Sequence, residues 1–515
     1  MANKNLFNSV EVSKPKKNVF DLTHDVKMSS KMGQLTPTCV IECVPGDMFN
    51  IGCDSLIRFA PLLAPVMHRM DVSMHYFFVP NRIIWENWEK FIVDANSNHV
   101  IPYFEYAPSF SAERKKFLDY LGVPPNNSSP ALPRNIQALP LAAYQAIYNE
   151  YYRDQNLVSE VNYQLNDGDN TGNTDLFNMR LRAWEHDYFT SALPFAQKGA
   201  AVDIPIGQVE NDVMVRQSNS LATLNAFSYS PAFTTQNPSD QNMAVGADLG
   251  SSTVAPGYLF VDGDEFDISA TTINDLRRAF RLQEWLEKNA RGGTRYIENI
   301  LMHFGVKSSD KRLQRPEYIT GVKTPVVISE VLNTTGLSDE TPQGNMAGHG
   351  VAVSTGKYGT YFCEEHGYII GIMSVMPKGA YQQGIPKTFL KNDPLDFFWP
   401  SFAHIGEQPV TNNELYAYTN NDALTFGYVP RYAEYKFMPN RVAGDFRTTL
   451  AYWHLGRIFN NQPNLNQSFI ECNPDDVDRI FAVTDDPEGT DNLYCQILHK
   501  IRAVRPMPKF GTPMF

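Results

Sequence analysis

Apolar side chains gather in short runs towards both ends of the chain, and each run is broken by Pro, Gly or Asn. The runs at 39–44, 48–57 and 72–79, separated at Pro45-Gly46 and Pro80-Asn81, have the length and punctuation of β-strands. Further runs at 326–332, 368–376 and 493–504 predict more strands after Pro325. Residues 58–65, with prolines at 61 and 65, are expected to cross between strands as an irregular or short helical piece.

Helical spacing falls between these two groups. Tyr144, Ile147, Tyr148 and Tyr151 lie at i, i+3, i+4 and i+7, and residues 176–192, stopped by Pro194, predict a second helix. Thr272-Ile-Asn-Asp275 has the form of a capping box that opens a third helix, which Gly292-Gly293 closes. At about 100° per residue, Leu276, Ala279, Leu282, Leu286 and Ala290 share one side of it. Arg277, Arg281, Lys288 and Arg291 share the opposite side with Glu284, so one face should pack while the other is basic.

The helices interrupt the strands instead of alternating with them, which argues against a parallel βαβ fold, and no internal repeat is visible. An all-β antiparallel sandwich closed by its terminal strands is expected, with a jelly roll the best fit. Its strands need only about a third of the chain; the rest reads as long loop and helical insertions, whose closure entropy grows slowly with length. Residues 1–515 thus read as one domain. Residues 1–37, polar and without periodicity, with Lys14, Lys16 and Lys17 around Pro15, read as an extended N-terminal arm. Residues 203–266 read as a surface insertion: no Lys or Arg occurs between Arg216 and Arg277, and Ser, Thr, Asn, Gly and Ala dominate.

Composition narrows the function. Apolar residues make up 43% of 515, enough for a large core, and an aromatic share of 12% favours sheets and subunit interfaces. A formal charge of −12 argues against a protein coated for non-specific nucleic-acid binding, so any phosphate contact must be local. The stretch 368–376 is too short to cross a bilayer, and a soluble, unexported chain without membrane insertion is expected. Six cysteines are too few for a disulfide scaffold. Cys39, Cys43 and Cys53 lack the paired spacing of a zinc site and read as buried thiols on strands.

Candidate chemistry is sparse. Gly350 to Lys357 approximates a phosphate-binding loop, but five residues separate Gly350 from Gly356 and Tyr358 stands where Ser or Thr is needed. His68, Asp71 and His75 share one strand-like run and could form a metal or acid–base site, although a satisfied structural arrangement explains them as well. No nucleophile elbow, zinc-protease helix or dinucleotide fingerprint occurs. No catalytic residue, metal or cofactor is assigned. Three basic segments do stand out: the arm, the ten Lys and Arg residues from Arg277 to Arg315, and Lys500, Arg502, Arg505 and Lys509 after Asp491. Together they fit weak phosphate contact on one surface.

Several stretches resemble the gokushovirus branch of microvirus major capsid proteins. They include Asn18-Val-Phe-Asp-Leu-Thr-His-Asp25, Ser55-Leu-Ile-Arg-Phe-Ala-Pro61, Met70-Asp-Val-Ser-Met-His-Tyr-Phe-Phe-Val-Pro80 and Asn149-Glu-Tyr-Tyr-Arg-Asp-Gln-Asn156. Asp187-Tyr-Phe-Thr-Ser-Ala-Leu-Pro194, Ala290-Arg-Gly-Gly-Thr-Arg-Tyr296 and Leu313-Gln-Arg-Pro-Glu-Tyr318 continue the series. The resemblance runs nearly the whole length and weakens across 203–266. It implies an eight-stranded jelly roll, a T=1 icosahedral shell of sixty subunits and a circular single-stranded DNA genome. It also implies a small basic DNA-binding protein as partner, and a virion assembled in the bacterial cytoplasm.

On that reading Arg277, Arg281, Lys288, Arg291, Lys500, Arg502 and Arg505 are expected to face DNA. The insertion, with Phe227, Tyr229, Phe233, Tyr258 and Phe260 as apolar anchors, is expected to project at the threefold axes and contact a host receptor. The alternatives are a carbohydrate-active enzyme on a β-sandwich and a phage attachment protein outside the shell; only the capsid reading predicts closed particles or pentameric precursors.

Overall fold

The computed structural model describes residues 16–94, 97–125, 134–200, 202, 215–217, 259–261, 272–334, 337–338, 341–342, 344–419, 424–483 and 490–510. The chain forms two compact units, Met1–Ala196 with Asn289–Phe515, and Gln197–Lys288.

The larger unit contains two antiparallel sheets. Its early strands are β1 (Asn18–Asp21), β2 (His24–Ser30), β3 (Thr36–Cys43), β4 (Met48–Phe59) and β5 (Met70–Pro80). Its late strands are β6 (Glu317–Pro325), β7 (Val327–Leu332), β8 (Met346–Thr355), β9 (Gly359–Phe362), β10 (Gly367–Pro377) and β11 (Leu493–Arg505). All six predicted runs are strands, each within a few residues of its expected bounds.

The first sheet has the order β1–β11–β4–β8–β7, with β2 also on β11 and β9 also on β4. β1 meets residues 502–505 and β2 meets 493–499, so these two act as one strand interrupted at Leu22-Thr23. β8 and β9 share the length of β4 in the same way. The described part of the expected arm, from Asn18 to Ser30, is therefore sheet within its own subunit. The second sheet has the order β6–β5–β10–β3.

One core joins the sheets. Phe49, Ile51 and Ile57 of β4 and Ile497 and Ile501 of β11 share a buried cluster with Val72 and Met74 of β5 and Met373 and Val375 of β10. Each such side chain, fully buried, contributes roughly 1.5–3 kcal/mol. In β11 burial alternates strictly from Leu493 to Ala503, leaving Tyr494, Gln496 and Arg502 exposed. β10 differs, because every residue from Gly367 to Pro377 is buried.

A second cluster explains this. Ile370 and Ile372 of β10 and Phe77 and Val79 of β5 pack with Trp85, Phe104, Phe117 and the helix α1 (Leu139–Ile147). The helical insertion thus roofs the far face of the four-stranded sheet. α1 runs on into a π-helical turn, Tyr148–Tyr152, so the predicted tyrosine-rich helix is present with a changed pitch at its end.

The helix expected at 176–192 does not form beyond a 3₁₀ turn at Thr174–Phe177. Its backbone is engaged elsewhere. Gln145 Nε2 donates to the carbonyls of Leu176 and Asn178, Arg182 N donates to Gly33 O, and Trp184 N donates to Ile470 O. These tertiary bonds displace the i→i−4 ladder that local spacing favoured.

The smaller unit contains most of α2 (Ile273–Arg291) and a pair of short antiparallel strands, Val215–Gln217 and Leu259–Val261. Thr272 Oγ1 accepts from Asp275 N at 3.2 Å, as the capping box requires. The packed stripe of α2 is rotated from the expected one. Leu276, Ala279 and Leu286 are partly buried, but Leu282 is 48% exposed. Gln283 and Glu287 take its place, joined by a 2.7 Å hydrogen bond, and Gln283 also bonds Gln197.

Candidate nucleic-acid interface

Alternation in β11 aims Lys500 and Arg502 away from the core that holds Ile501 and Ala503. Lys500 pairs with Asp54 of β4, while Arg502 is exposed, opposite Asp21 of β1 in the register. Arg505 is tied into its own subunit. It donates to Glu42 O at 2.7 Å, lies 3.5 Å from Asp47 Oδ2 and stacks over Phe49 at 5.4 Å. Arg58 and Lys27, opposite Tyr494 and Gln496 in the register, extend this face. From the sequence Lys27 counted only as one charge of the basic arm and Arg58 was missed, because the signal that groups them is cross-strand register and no single strand carries it.

Three of the four helix cations, Arg277, Arg281 and Lys288, belong to the smaller unit. Arg277, Arg281 and Lys288 are exposed, and Arg281 pairs with Glu284 at 2.6 Å. Arg291 departs from the expected basic face. Its guanidinium pairs with Glu407 and donates to the carbonyls of Ser191 at 3.1 Å and Tyr428 at 3.3 Å. On the helical wheel Arg291 sits about 80° round from Arg281, at the border of the packed stripe. Phe227, Tyr229, Phe233 and Tyr258 lie outside the described residues. Phe260 lies in a described strand, opposite Arg216.

The residues considered for chemistry have structural partners. Residues 350–355 continue β8, so no phosphate loop forms there. His68 Nε2 donates to Lys378 O at 2.7 Å, and His75 Nδ1 lies 2.7 Å from the Tyr152 hydroxyl. Burial pushes both rings down to about 4, which keeps them neutral at ordinary pH. Asp71 belongs to neither histidine. Burial opposes its ionisation, but hydrogen bonds from Lys378 at 2.9 Å and Lys323 at 3.1 Å outweigh that and hold the carboxyl below its usual range. Burial likewise pushes the Cys39, Cys472 and Cys495 thiols up to about 12, where they are poor nucleophiles. A cavity of about 540 Å³ is lined by Arg153, His186, Arg291, Arg295 and Glu298, but its cations serve internal bonds. Arg295 pairs with Glu298 and donates to Asn149 O and Arg153 O; Arg153 donates to Val158 O.

A second surface is apolar. Phe389 is 76% and Met438 89% exposed, and Leu395, Phe397, Phe398, Trp399, Tyr435 and Phe437 are exposed with them. Several lie together: the Phe398 ring is 5.0 Å from that of Tyr432 and 6.2 Å from that of Tyr435. Clustered exposed aromatics mark association surfaces more than solvent surfaces. No helix among the described residues is long and apolar enough to cross a membrane.

Comparison with known proteins identifies the family to which this sheet scaffold belongs. Residues 8–515 match the family described as capsid protein (F protein). Capsid protein VP1 of Chlamydia phage 1 is 33% identical over 99% of this chain and 97% of its own length. Capsid protein VP1 of Bdellovibrio phage phiMH2K is 35% identical over 96% of the chain and 94% of its own, and VP1 of Spiroplasma virus 4 is 30% identical over the same shares. With so much of its length matched, the chain belongs to the phage capsid (F protein) family, as a structural capsid protein of the gokushovirus type.

Proposed function

We propose that this chain is the subunit of a T=1 icosahedral shell of sixty copies, built through pentameric precursors around a circular single-stranded DNA genome. On this reading the core is an eight-stranded jelly roll: the split pairs β1/β2 and β8/β9 are single jelly-roll strands interrupted, and peripheral strands are added. The observation that carries the assembly reading is the exposed aromatic surface around Phe397, Phe398, Tyr435 and Met438, which a monomer has no use for. A second copy of the chain would cover it. Electron microscopy of the expressed protein should show closed particles, and Phe398→Asp should leave a folded, unassembled subunit. Assembly of that variant at normal yield would reject the interface.

The genome would lie against Arg277, Arg281, Lys288 and Arg502, with Lys500 contributing once DNA competes with Asp54. Arg291 and Arg505 are better read as ties within the subunit. The net charge of −12 supports a separate small basic protein that neutralises most phosphate, leaving the shell with weak, salt-sensitive contacts. Charge reversal of Arg277 and Arg281 should lower packaged DNA without stopping assembly.

Residues 203–266 would project outward and take part in attachment to a host receptor. Their lack of cations from 217 to 266 makes them poor partners for phosphate, which supports an exterior place. A Gly/Ser replacement of the segment should give particles that package DNA and adsorb poorly. Removal of residues 1–37 should block assembly, since it strips β1 and β2 from β11 as well as any contact made by the residues before them.

A further inference from the structure

We propose that His24, Cys39 and His499 form a binding site for a borderline-soft divalent cation of the zinc type. The register creates the grouping. His24 of β2 and His499 of β11 are directly opposite, and Cys53 of β4 is opposite His499 on its other side. Cys39 arrives from β3 in the facing sheet. One ligand atom from each of His24, Cys39 and His499 lies within 4.8 Å of the other two. A point between three such atoms is at most roughly 2.8 Å from each, against ~2.0–2.3 Å in zinc sites, so sub-ångström side-chain shifts suffice.

The surroundings suit ligation. His24 Nδ1 is 2.8 Å from Leu22 O, which can only accept, so Nδ1 carries the proton and Nε2 keeps its lone pair. His499 Nδ1 is 2.7 Å from the Tyr76 hydroxyl, an outer partner of the kind that orients ligating imidazoles. Binding through Nε2 would replace the longer 3.1 Å bond to Thr38 O. Thr38 sits where the β3–β10 register skips a residue, and its buried hydroxyl has no hydrogen-bond partner among the described residues. That hydroxyl or the Cys53 thiol could supply a fourth donor. Two imidazoles and a thiolate select zinc-like ions over calcium or magnesium, which require oxygen. Cys39 and His499 are buried, and the exposed His24 provides the route of entry.

The test uses the full-length chain, stripped with a chelator and reloaded with zinc or cobalt alone. Metal analysis should find one zinc per chain at this site, and cobalt should give a thiolate charge-transfer band in the near ultraviolet. His24→Gln, at the exposed rim and expected to keep its fold by circular dichroism, should lose the zinc. Cys39→Ser should lose the charge-transfer band, and His404→Gln, exposed elsewhere, should change nothing. Absence of zinc from the reloaded wild-type chain, or full occupancy in His24→Gln, would overturn the site.

Discussion

The two sheets share a core but differ in their other face. The four-stranded sheet is roofed by α1 and its neighbours, so β10 is buried along its whole length, and its sequence is an apolar run broken by Ser374, which accepts a hydrogen bond from Arg182. Among the described residues no such roof covers β11 of the seven-stranded sheet, and there buried positions alternate with more exposed ones that include Tyr494, Gln496, Lys500 and Arg502. The same backbone geometry therefore produces two sequence signatures, and the difference records what covers each face. A face that its own subunit leaves open is the face available to the genome or to other subunits.

The sharpest way to break this comparison is to place a charge on each face. Ile370→Asp, under the α1 roof, buries an unpaired carboxylate at a cost of several kcal/mol, and no soluble folded chain is expected. Gln496→Asp, on the open face, should shift stability by no more than about 0.5 kcal/mol. Expression yield and melting temperature distinguish them; equal damage would mean that the second face is covered too.

A smaller effect is expected from the two kinds of arginine. Arg291→Ala removes the partner of the buried Glu407 and should cost roughly 1–3 kcal/mol, discounted because Arg291 is itself partly exposed. Packaged DNA per assembled particle should not change. Arg277→Glu should do the reverse, lowering DNA content at unchanged melting temperature. If both variants behaved alike, the division between structural and genome-facing cations would fail.

Acid should weaken both sheets through neutral buried histidines. His75 on β5 and His499 on β11 have folded values near 4, below the usual 6.5, because burial disfavours the charged ring. Over that interval the unfolded chain binds more protons, so stability is full above pH 6.5 and declines as pH falls towards 4. Urea unfolding across that range should show the slope, and His75→Gln should flatten it. The least effect should come from Lys500→Ala, which removes an open-face ion pair and should leave the melting temperature unchanged while slightly lowering particle DNA content and making it less salt-sensitive.

The strands were legible because their apolar runs are short, punctuated and rich in β-branched and aromatic residues. The buried roof was partly legible in the spacing of Tyr144, Ile147, Tyr148 and Tyr151. The failure at 176–192 arose because Gln145, Gly33 and Ile470 capture that segment's backbone, and such distant partners leave no local mark. The candidate site was legible only as charge. Lys500 and Arg502 could be placed by alternation within one strand, whereas Arg58 and Lys27 needed the register between strands. Arg291 was misplaced by its wheel angle, since a border residue turns towards whatever acid lies nearby. The grouping of His24, Cys39 and His499 unites two positions 15 residues apart with a third 460 residues further on, beyond the reach of any spacing rule.

The strand β11 lies between β4 and the β1/β2 row, with Asn18 Nδ2 donating to Met507 O across 489 positions of sequence. This inner strand of the larger sheet therefore leaves the ribosome long after the strands on both sides of it. Until then β4 and β1/β2 have no neighbour between them, and the open edges invite pairing with other chains. Closure of so long a loop makes folding slow, so the assembly-competent surface can mature only after β11 has docked. A nascent chain that still lacks β11 would be kept out of the particle by the order of its own synthesis, and chains truncated before Leu493 should aggregate without joining shells.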